Sequence, residues 1–227
     1  MAKRIEAWEI ADAVDGVGAF PQIQTHRGGN WNIADPRSAY GLIRWDGLPA
    51  KPPPFGKLML ALGARLTDVL SAASISGPGF LVSKRVLQLF AELDLGEHGV
   101  YPARVGAGAR KSYGYFWVHI ANDVAARVDV RSSEYRTMKR PFIRGGKPVR
   151  FASATALNKH IVTAERGVRN FVRPTHITLR GAPSTYPDLF RYLDTRLYAS
   201  ERLKAAFDRE HVSGVQFRPA RISFSAR

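Results

Sequence analysis

Leu81 to Val105 reads LVSKRVLQLFAELDLGEHGVYPARV, and Tyr198 to Ile222 reads YASERLKAAFDREHVSGVQFRPARI. The two stretches align without gaps: Ser83 falls on Ser200, Arg85 on Arg202, Phe90 on Phe207, and Pro102-Ala103-Arg104 on Pro219-Ala220-Arg221. Self-similarity of this kind constrains architecture before any single element is assigned. In each copy a serine follows a short apolar run and opens a helical pattern, so its hydroxyl is positioned to accept a free amide of the first turn. Behind Ser83, the residues Val86, Leu89, Phe90 and Leu93 recur at helical spacing. Behind Ser200, the residues Leu203, Ala206 and Phe207 keep the same register, so each helix carries one apolar stripe. A stripe needs a sheet to cover, and the flanks supply it: Phe80 to Val82 and Val100 to Val105 around the first helix, Val215 to Phe224 after the second. Each unit reads strand, helix, strand.

Between the units, Gly106 to Arg110 forms a glycine-rich turn, and the aromatic run Tyr113 to Ile120, YGYFWVHI, has high strand preference. Val128 to Val130 extends the sheet. Ser153 caps a helix whose face carries Leu157, His160, Ile161 and Ala164, with Gly167 as its stop. A strand over Thr175 to Arg180 follows, and Asp188 to Leu193 leads into the second unit. Upstream, Lys3 to Ile10 fits a strand or a short helix, and we read it as a strand. Pro21 to Gly56 is rich in Gly, Pro and Asn, with one expected strand at Tyr40 to Trp45. Leu58, Leu62, Leu66 and Val69 predict a helix. The proline-rich stretch Pro49 to Gly56, PAKPPPFG, reads as an ordered surface loop. It sets off an N-terminal subregion, 1–57, packed on a main domain, 58–227. The expected fold class is α+β: a single domain with a mixed, largely antiparallel sheet and packed helices, containing two similar strand-helix-strand units.

The chain has 227 residues, enough for a sizeable core, and no cysteine, so neither disulfides nor thiolate metal sites enter. Its start, MAKRIEAWEIADAVDG, lacks the apolar run and cleavage site of a signal peptide, and no uninterrupted apolar run reaches membrane-spanning length. A soluble, cytoplasmic chain with no membrane partner is expected. The charge balance is more selective: 34 Lys and Arg against 19 Asp and Glu leave a formal net charge of +15. Such a field attracts nucleic acid, anionic membrane or an acidic protein without choosing among them. The densest basic run, RSSEYRTMKRPFIRGGKPVR, holds Arg131, Arg136, Lys139, Arg140, Arg144, Lys147 and Arg150 against the single acid Glu134. It reads either as a solvated loop or as a partner-facing patch.

Known chemistry finds little foothold. Gly106 to Ser112, GAGARKS, lacks the phosphate-loop pattern and precedes a strand where such a loop feeds a helix, so it reads as a hairpin turn. Lys111 to Val118 approximates the basic-aromatic strand of RNA-recognition modules, with Tyr113, Tyr115 and Trp117 as stacking rings. Sheet packing accounts for the same pattern. The histidines His26, His98, His119, His160, His176 and His211 have no metal-ligand spacing. Neither a nucleophile elbow nor a dinucleotide fingerprint is present. The expectation is a binding protein and not an enzyme, with no catalytic residues, cofactor or metal.

Gly79-Phe80-Leu81-Val82-Ser83-Lys84-Arg85-Val86, preceded by Thr67-Asp68-Val69-Leu70, resembles the first module of polymorphic-toxin immunity protein family 11. Tyr115 to Val124, followed by Asp129, is similar to that family's middle motif. Leu189-Phe190-Arg191 matches its C-terminal signature loosely, while Leu197 to Lys204 and Gly214 to Phe217 fit well, and all three modules occur in the family's order. The resemblance covers about Thr67 to Pro219. It implies an immunity protein whose partner is a cognate bacterial toxin, blocked by stoichiometric occlusion, and it brings no catalytic residues. Joined to the charge balance, it predicts a toxin with an acidic surface, met by the basic run Arg131 to Arg150. The alternative reading is a basic module binding RNA or single-stranded nucleic acid.

Overall fold

A computed structural model describes residues 7–43, 47–72, 75, 77–108, 111–139, 146–165, 170–193 and 196–225. In chain order its elements are β1 (Ala7–Asp12), β2 (Ile23–Arg27), α1 (Ala39–Leu42), β3 (Lys57–Leu60), β4 (Val69–Leu70), β5 (Gly79–Val82), α2 (Lys84–Phe90), β6 (His98–Ala107) and β7 (Lys111–Ile120). There follow β8 (Glu134–Lys139), β9 (Pro148–Val149), α3 (Ala154–Glu165), β10 (Asn170–Arg180), β11 (Leu189–Arg191), β12 (Leu197–Ala199), α4 (Glu201–Arg209), β13 (Val215–Ala220) and β14 (Ile222–Ser225).

The two serines cap their helices as the sequence predicts. Ser83 Oγ accepts from the Val86 amide at 3.4 Å, and Ser200 Oγ from the Leu203 amide at 3.1 Å. Ser153 does the same for α3, accepting from the Ala156 amide at 3.1 Å. The apolar stripes of α2 and α4 then meet in one core. Val86, Leu89 and Phe90 pack with Leu203, Ala206 and Phe207, and the Phe90 and Phe207 ring centroids lie 5.8 Å apart.

The aromatic run is a strand, β7, and its period-two alternation divides two cores. Val118 and Ile120 face the core shared by α2 and α4, while Tyr115 and Trp117 face a second core with Leu58, Leu81, Tyr101 and Val105. The segment around α1 covers that second core through Ala39, Ile43 and Phe55. A third core gathers Tyr135, Phe151 and Leu157 with Ile177, Tyr192 and Tyr198.

The class is α+β in one domain with mixed, largely antiparallel pairing, but the strands divide among three sheets where one was expected. Their orders are β2-β3-β6-β7-β5-β4, β11-β12-β1-β13 and β14-β10-β8-β9. Two pairs are parallel, β3 with β6 and β10 with β14. Of the strand read over Lys3 to Ile10, the part from Ala7 on is strand β1, while Lys3 to Glu6 lie outside the described residues; β1 lies between β12 and β13, with Trp8 pairing with Ala199 on one side and Pro219 on the other.

Two expectations fail for identifiable reasons. Of the strand expected over Tyr40 to Trp45, the part from Tyr40 to Leu42 is instead in the short helix α1, because Ser38 Oγ accepts from the Gly41 amide at 3.1 Å and starts a turn; Arg44 and Trp45 lie outside the described residues. The helix expected from Leu58 to Val69 is β3, a turn and β4. Leu58 is fully buried while Leu62 is fully exposed, so the two never shared a face. Gly63 sits at φ +80, outside helical space, and turns the chain. Strand β10 begins earlier than Thr175 and absorbs Pro174 at a register shift next to His176. Gly167 lies outside the described residues. Among those residues, no helix is long and apolar enough to cross a membrane.

Candidate functional site

The basic run folds into the β8–β9 pair and the turn before it. Alternation along β8 buries Tyr135 and turns its neighbour Arg136 outward. Arg136 pairs in register with Pro148, and Tyr135 with Val149, so the exposed Lys147 and Arg150 flank the strand opposite. Thr137 fastens the pair: its amide donates to the Lys147 carbonyl at 2.9 Å, and its Oγ1 accepts from the Lys147 amide at 3.2 Å. β9 is the outer strand of its sheet, so this face borders an open edge.

Arg131 stands on the preceding turn. Asp129 organises that turn, accepting from the Ser132 hydroxyl at 2.7 Å and the Arg131 amide at 3.2 Å. The Ser132 hydroxyl holds the Asp129 carboxyl below its ordinary range, with the amides of Ser132 and Arg131 assisting. The Arg131 guanidinium is not loose, since its Nε donates to the Ala152 carbonyl at 2.6 Å beside the cap of α3. Arg150 is paired with Glu134 at 3.2 Å, both exposed. Arg136 and Lys147 make no ion pair among the described residues; Arg136 stands on the outward face with Glu134 and Arg150, while Lys147 lies opposite Thr137 just before β9. Lys139 ends β8, while Arg140 and Arg144 lie outside the described residues. Of the seven basic residues singled out in the sequence, Arg131, Arg136, Lys147 and Arg150 are exposed, along the β8–β9 pair and the turn before it.

Two of the three rings proposed for stacking on bases are buried. Tyr115 is 7% exposed and donates its hydroxyl to the Thr67 carbonyl at 2.7 Å, and Trp117 is 2% exposed. Burial pushes the Tyr115 hydroxyl up to about 12. Only Tyr113 keeps partial exposure. His160 packs against Phe151, His26 stacks on Trp31, and His98 and His176 bond within loops and between strands. Among the described residues, no three His, Asp or Glu gather as a metal site. A cavity of about 260 Å³ opens between the starts of β5 and β12, with Asp12, Trp117 and Arg196 in its wall. Crowding there desolvates the Asp12 carboxyl and raises it above its ordinary range.

Two carboxylates that carry much of the framework were not legible as such. Asp68 Oδ1 accepts from the Ser83 hydroxyl at 3.2 Å, and its backbone carbonyl accepts from the Ser83 amide at 2.7 Å. Asp188 does the same for Ser200, at 2.6 Å and 2.9 Å. Arg85 reaches Asp68 at 3.5 Å, and Arg202 straddles Asp188 with its Nε 3.1 Å and 3.0 Å from the two oxygens. Each carboxylate also binds the loop beyond the other helix. Asp68 Oδ2 takes the Ser213 amide at 3.1 Å and hydroxyl at 2.8 Å, and Asp188 Oδ2 takes the Asp94 amide at 2.9 Å. Burial raises both carboxyls, yet the hydrogen bonds and arginines outweigh it and hold both below their ordinary range. The only local signal is an aspartate directly before an apolar pair, Val69-Leu70 in one case and Leu189-Phe190 in the other.

Compared with protein-family models and with curated proteins, the chain matches none.

Proposed function

We propose that this chain is a cytoplasmic immunity protein that binds a cognate bacterial toxin one to one and blocks it by covering its working surface. What supports the reading is the convergence of the family-like segments. Gly79 to Val86, Tyr115 to Val124, Leu189 to Arg191 and Leu197 to Lys204 are far apart in sequence, yet Val82, Val86, Val118, Ile120, Leu189, Leu197, Ala199 and Leu203 share one core. Motifs that build a framework in this way leave recognition to the surface. On that surface, Arg136 and Lys147 make no ion pair among the described residues, and with the exposed Arg131 and Arg150 they offer positive charge suited to an acidic face on the toxin.

We propose as well that the chain contains two similar strand-helix-strand units, the second closed by β1. The registers support this. Val82 pairs with Phe116 as Ala199 pairs with Trp8, and Phe80 pairs with Val118 as Leu197 pairs with Ile10. Pro102 and Pro219, aligned in sequence, face the same two partners, Phe116 and Trp8. β7 and β1 thus hold equivalent positions although they come from different parts of the chain.

The function is tested by purifying this chain with the toxin domain encoded beside it. A stable one-to-one complex that abolishes toxin activity is expected. A toxin that neither binds the chain nor loses activity in its presence overturns the reading.

A further inference from the structure

Three cations stand in one row across the largest sheet. Arg27 of β2 lies in register with Lys57 of β3, and Lys57 with Arg104 of β6. Their neighbours Leu58 and Val105 point into a core, so the row occupies the opposite face, with Arg27 and Arg104 exposed and Lys57 half-buried. Neighbouring strands are only about 4.8 Å apart, and like charges facing each other across them repel. The sheet does not offset that cost. β2, β3, β6 and β7 contain no Asp or Glu, and none of the three cations makes an ion pair among the described residues. The backbone nevertheless holds the row in place. Gly28 and Gly56, each next to one of the cations, press together so closely that a side chain at Gly56 would meet the Gly28 carbonyl at 2.5 Å. Lys57 lays its stem over Gly106, where an added Cβ would stand 2.3 Å from its Cε. Beyond Arg104 the row ends at Gly114, and nothing lies within 4 Å of where a side chain would begin there. The charges are thus fixed on an open floor before any partner arrives, which lowers the ordering cost of binding. Along β6 the same face carries exposed Pro102 and Val100.

We infer that this row is a docking surface for an acidic segment of the toxin, whose carboxylates meet Arg27, Lys57 and Arg104 while its apolar side chains meet Pro102 and Val100. The inference rests on the toxin-binding reading and gives the same partner a second contact surface, on a different sheet from the β8–β9 pair. Charge and composition select the occupant. Three cations with no acid among them call for an anionic partner. Single-stranded nucleic acid is held by cations together with stacking rings, and the rings of Tyr115 and Trp117 point into the core on the other face. A second copy of the chain brings another +15 and repels the first. An acidic protein segment with apolar neighbours fits both the charged and the apolar part of the face.

The test uses the full chain and the purified toxin domain encoded beside it, with affinity read by calorimetry and folding by thermal melts. Lys57→Glu and Arg104→Glu are each expected to weaken binding about tenfold, more at low salt than at high. Their melting temperatures are expected to equal or exceed that of the wild type, because each reversal relieves a repulsion in the row. Arg65→Glu, the same change of charge at an exposed loop residue beyond the far end of β3, is expected to leave binding intact. Equal weakening in Arg65→Glu assigns the effect to net charge and overturns the docking surface. Wild-type affinity in both row variants also overturns it and leaves the immunity reading standing. Failure of the wild-type chain to bind the toxin overturns both. A melting temperature lowered in both row variants assigns the row to folding and overturns the inference. Binding of the wild-type chain to a single-stranded oligonucleotide more tightly than to the toxin, lost in Arg104→Glu, overturns it in favour of nucleic acid. Sedimentation of the wild-type chain, but not Arg104→Glu, with phosphatidylserine-containing vesicles overturns it in favour of a membrane.

Discussion

At the scale of single residues, Asp68 and Asp188 are two of the points where the halves of the chain are joined. Each fixes the capping serine of its own helix and the loop beyond the other helix, so neither half closes without the other. Replacing Asp188 by Ala leaves the Ser200 hydroxyl and Asp94 amide without their acceptor, and a loss of about 2 kcal/mol is expected in urea denaturation. The same geometry sets the acid limit of the fold. Both carboxyls titrate lower in the folded chain than in the unfolded one, so their stabilisation is complete above the unfolded value. It is lost as pH falls through the folded values, in a window below about pH 4. A pH series of melting temperatures is expected to fall steeply there, and the Asp68→Asn/Asp188→Asn double variant to give a flatter acid limb from a lower plateau.

At the scale of elements, local physics was legible where it acts over a few residues. Ser83, Ser153 and Ser200 cap their helices because a hydroxyl and the amide it meets are three positions apart. Tyr113 to Ile120 was readable as a strand because the strand preference of its aromatic and branched residues needs no distant partner to be seen. Ser83→Ala and Ser200→Ala are each expected to cost about 1 kcal/mol in chemical denaturation, the larger loss falling on Ser200, whose hydroxyl also reaches Asp188 at 2.6 Å. The helix read into Leu58 to Val69 went astray because apolar spacing at four residues says nothing about a left-handed Gly63, or about Asp68 being held by Ser213 from the far end of the chain. The contrast is measurable. Leu58→Ala is expected to cost about 2–5 kcal/mol, and Leu62→Ala nothing detectable.

At the scale of the whole molecule, a chain of net charge +15 places several of its exposed basic side chains at the β8–β9 end of one sheet, which the proposed reading makes a toxin-facing surface. From the sequence this run reads as a loop or a patch, whereas strand β8 buries Tyr135 and turns Arg136 outward. The neutralisation of Arg150 by Glu134 was not readable either, since it depends on how β8 and β9 come into register. Arg136→Glu together with Lys147→Glu is expected to slow association with an acidic toxin at least tenfold at low salt, with less difference at high salt, in stopped-flow measurements. Folding stability is expected to change little, because both side chains are exposed.

The position of β1 has a consequence for how the protein is made. This strand is made before its neighbours on both sides, β12 and β13, which lie far downstream of it in sequence. Until they are made, both of its hydrogen-bonding edges lack the partners they have in the fold, and Trp8 and Ile10 lack the core they pack into. That sheet therefore closes only when a downstream segment returns to an upstream one. A nascent chain in that condition is a natural client for chaperones, and slowing translation lengthens its exposure to aggregation.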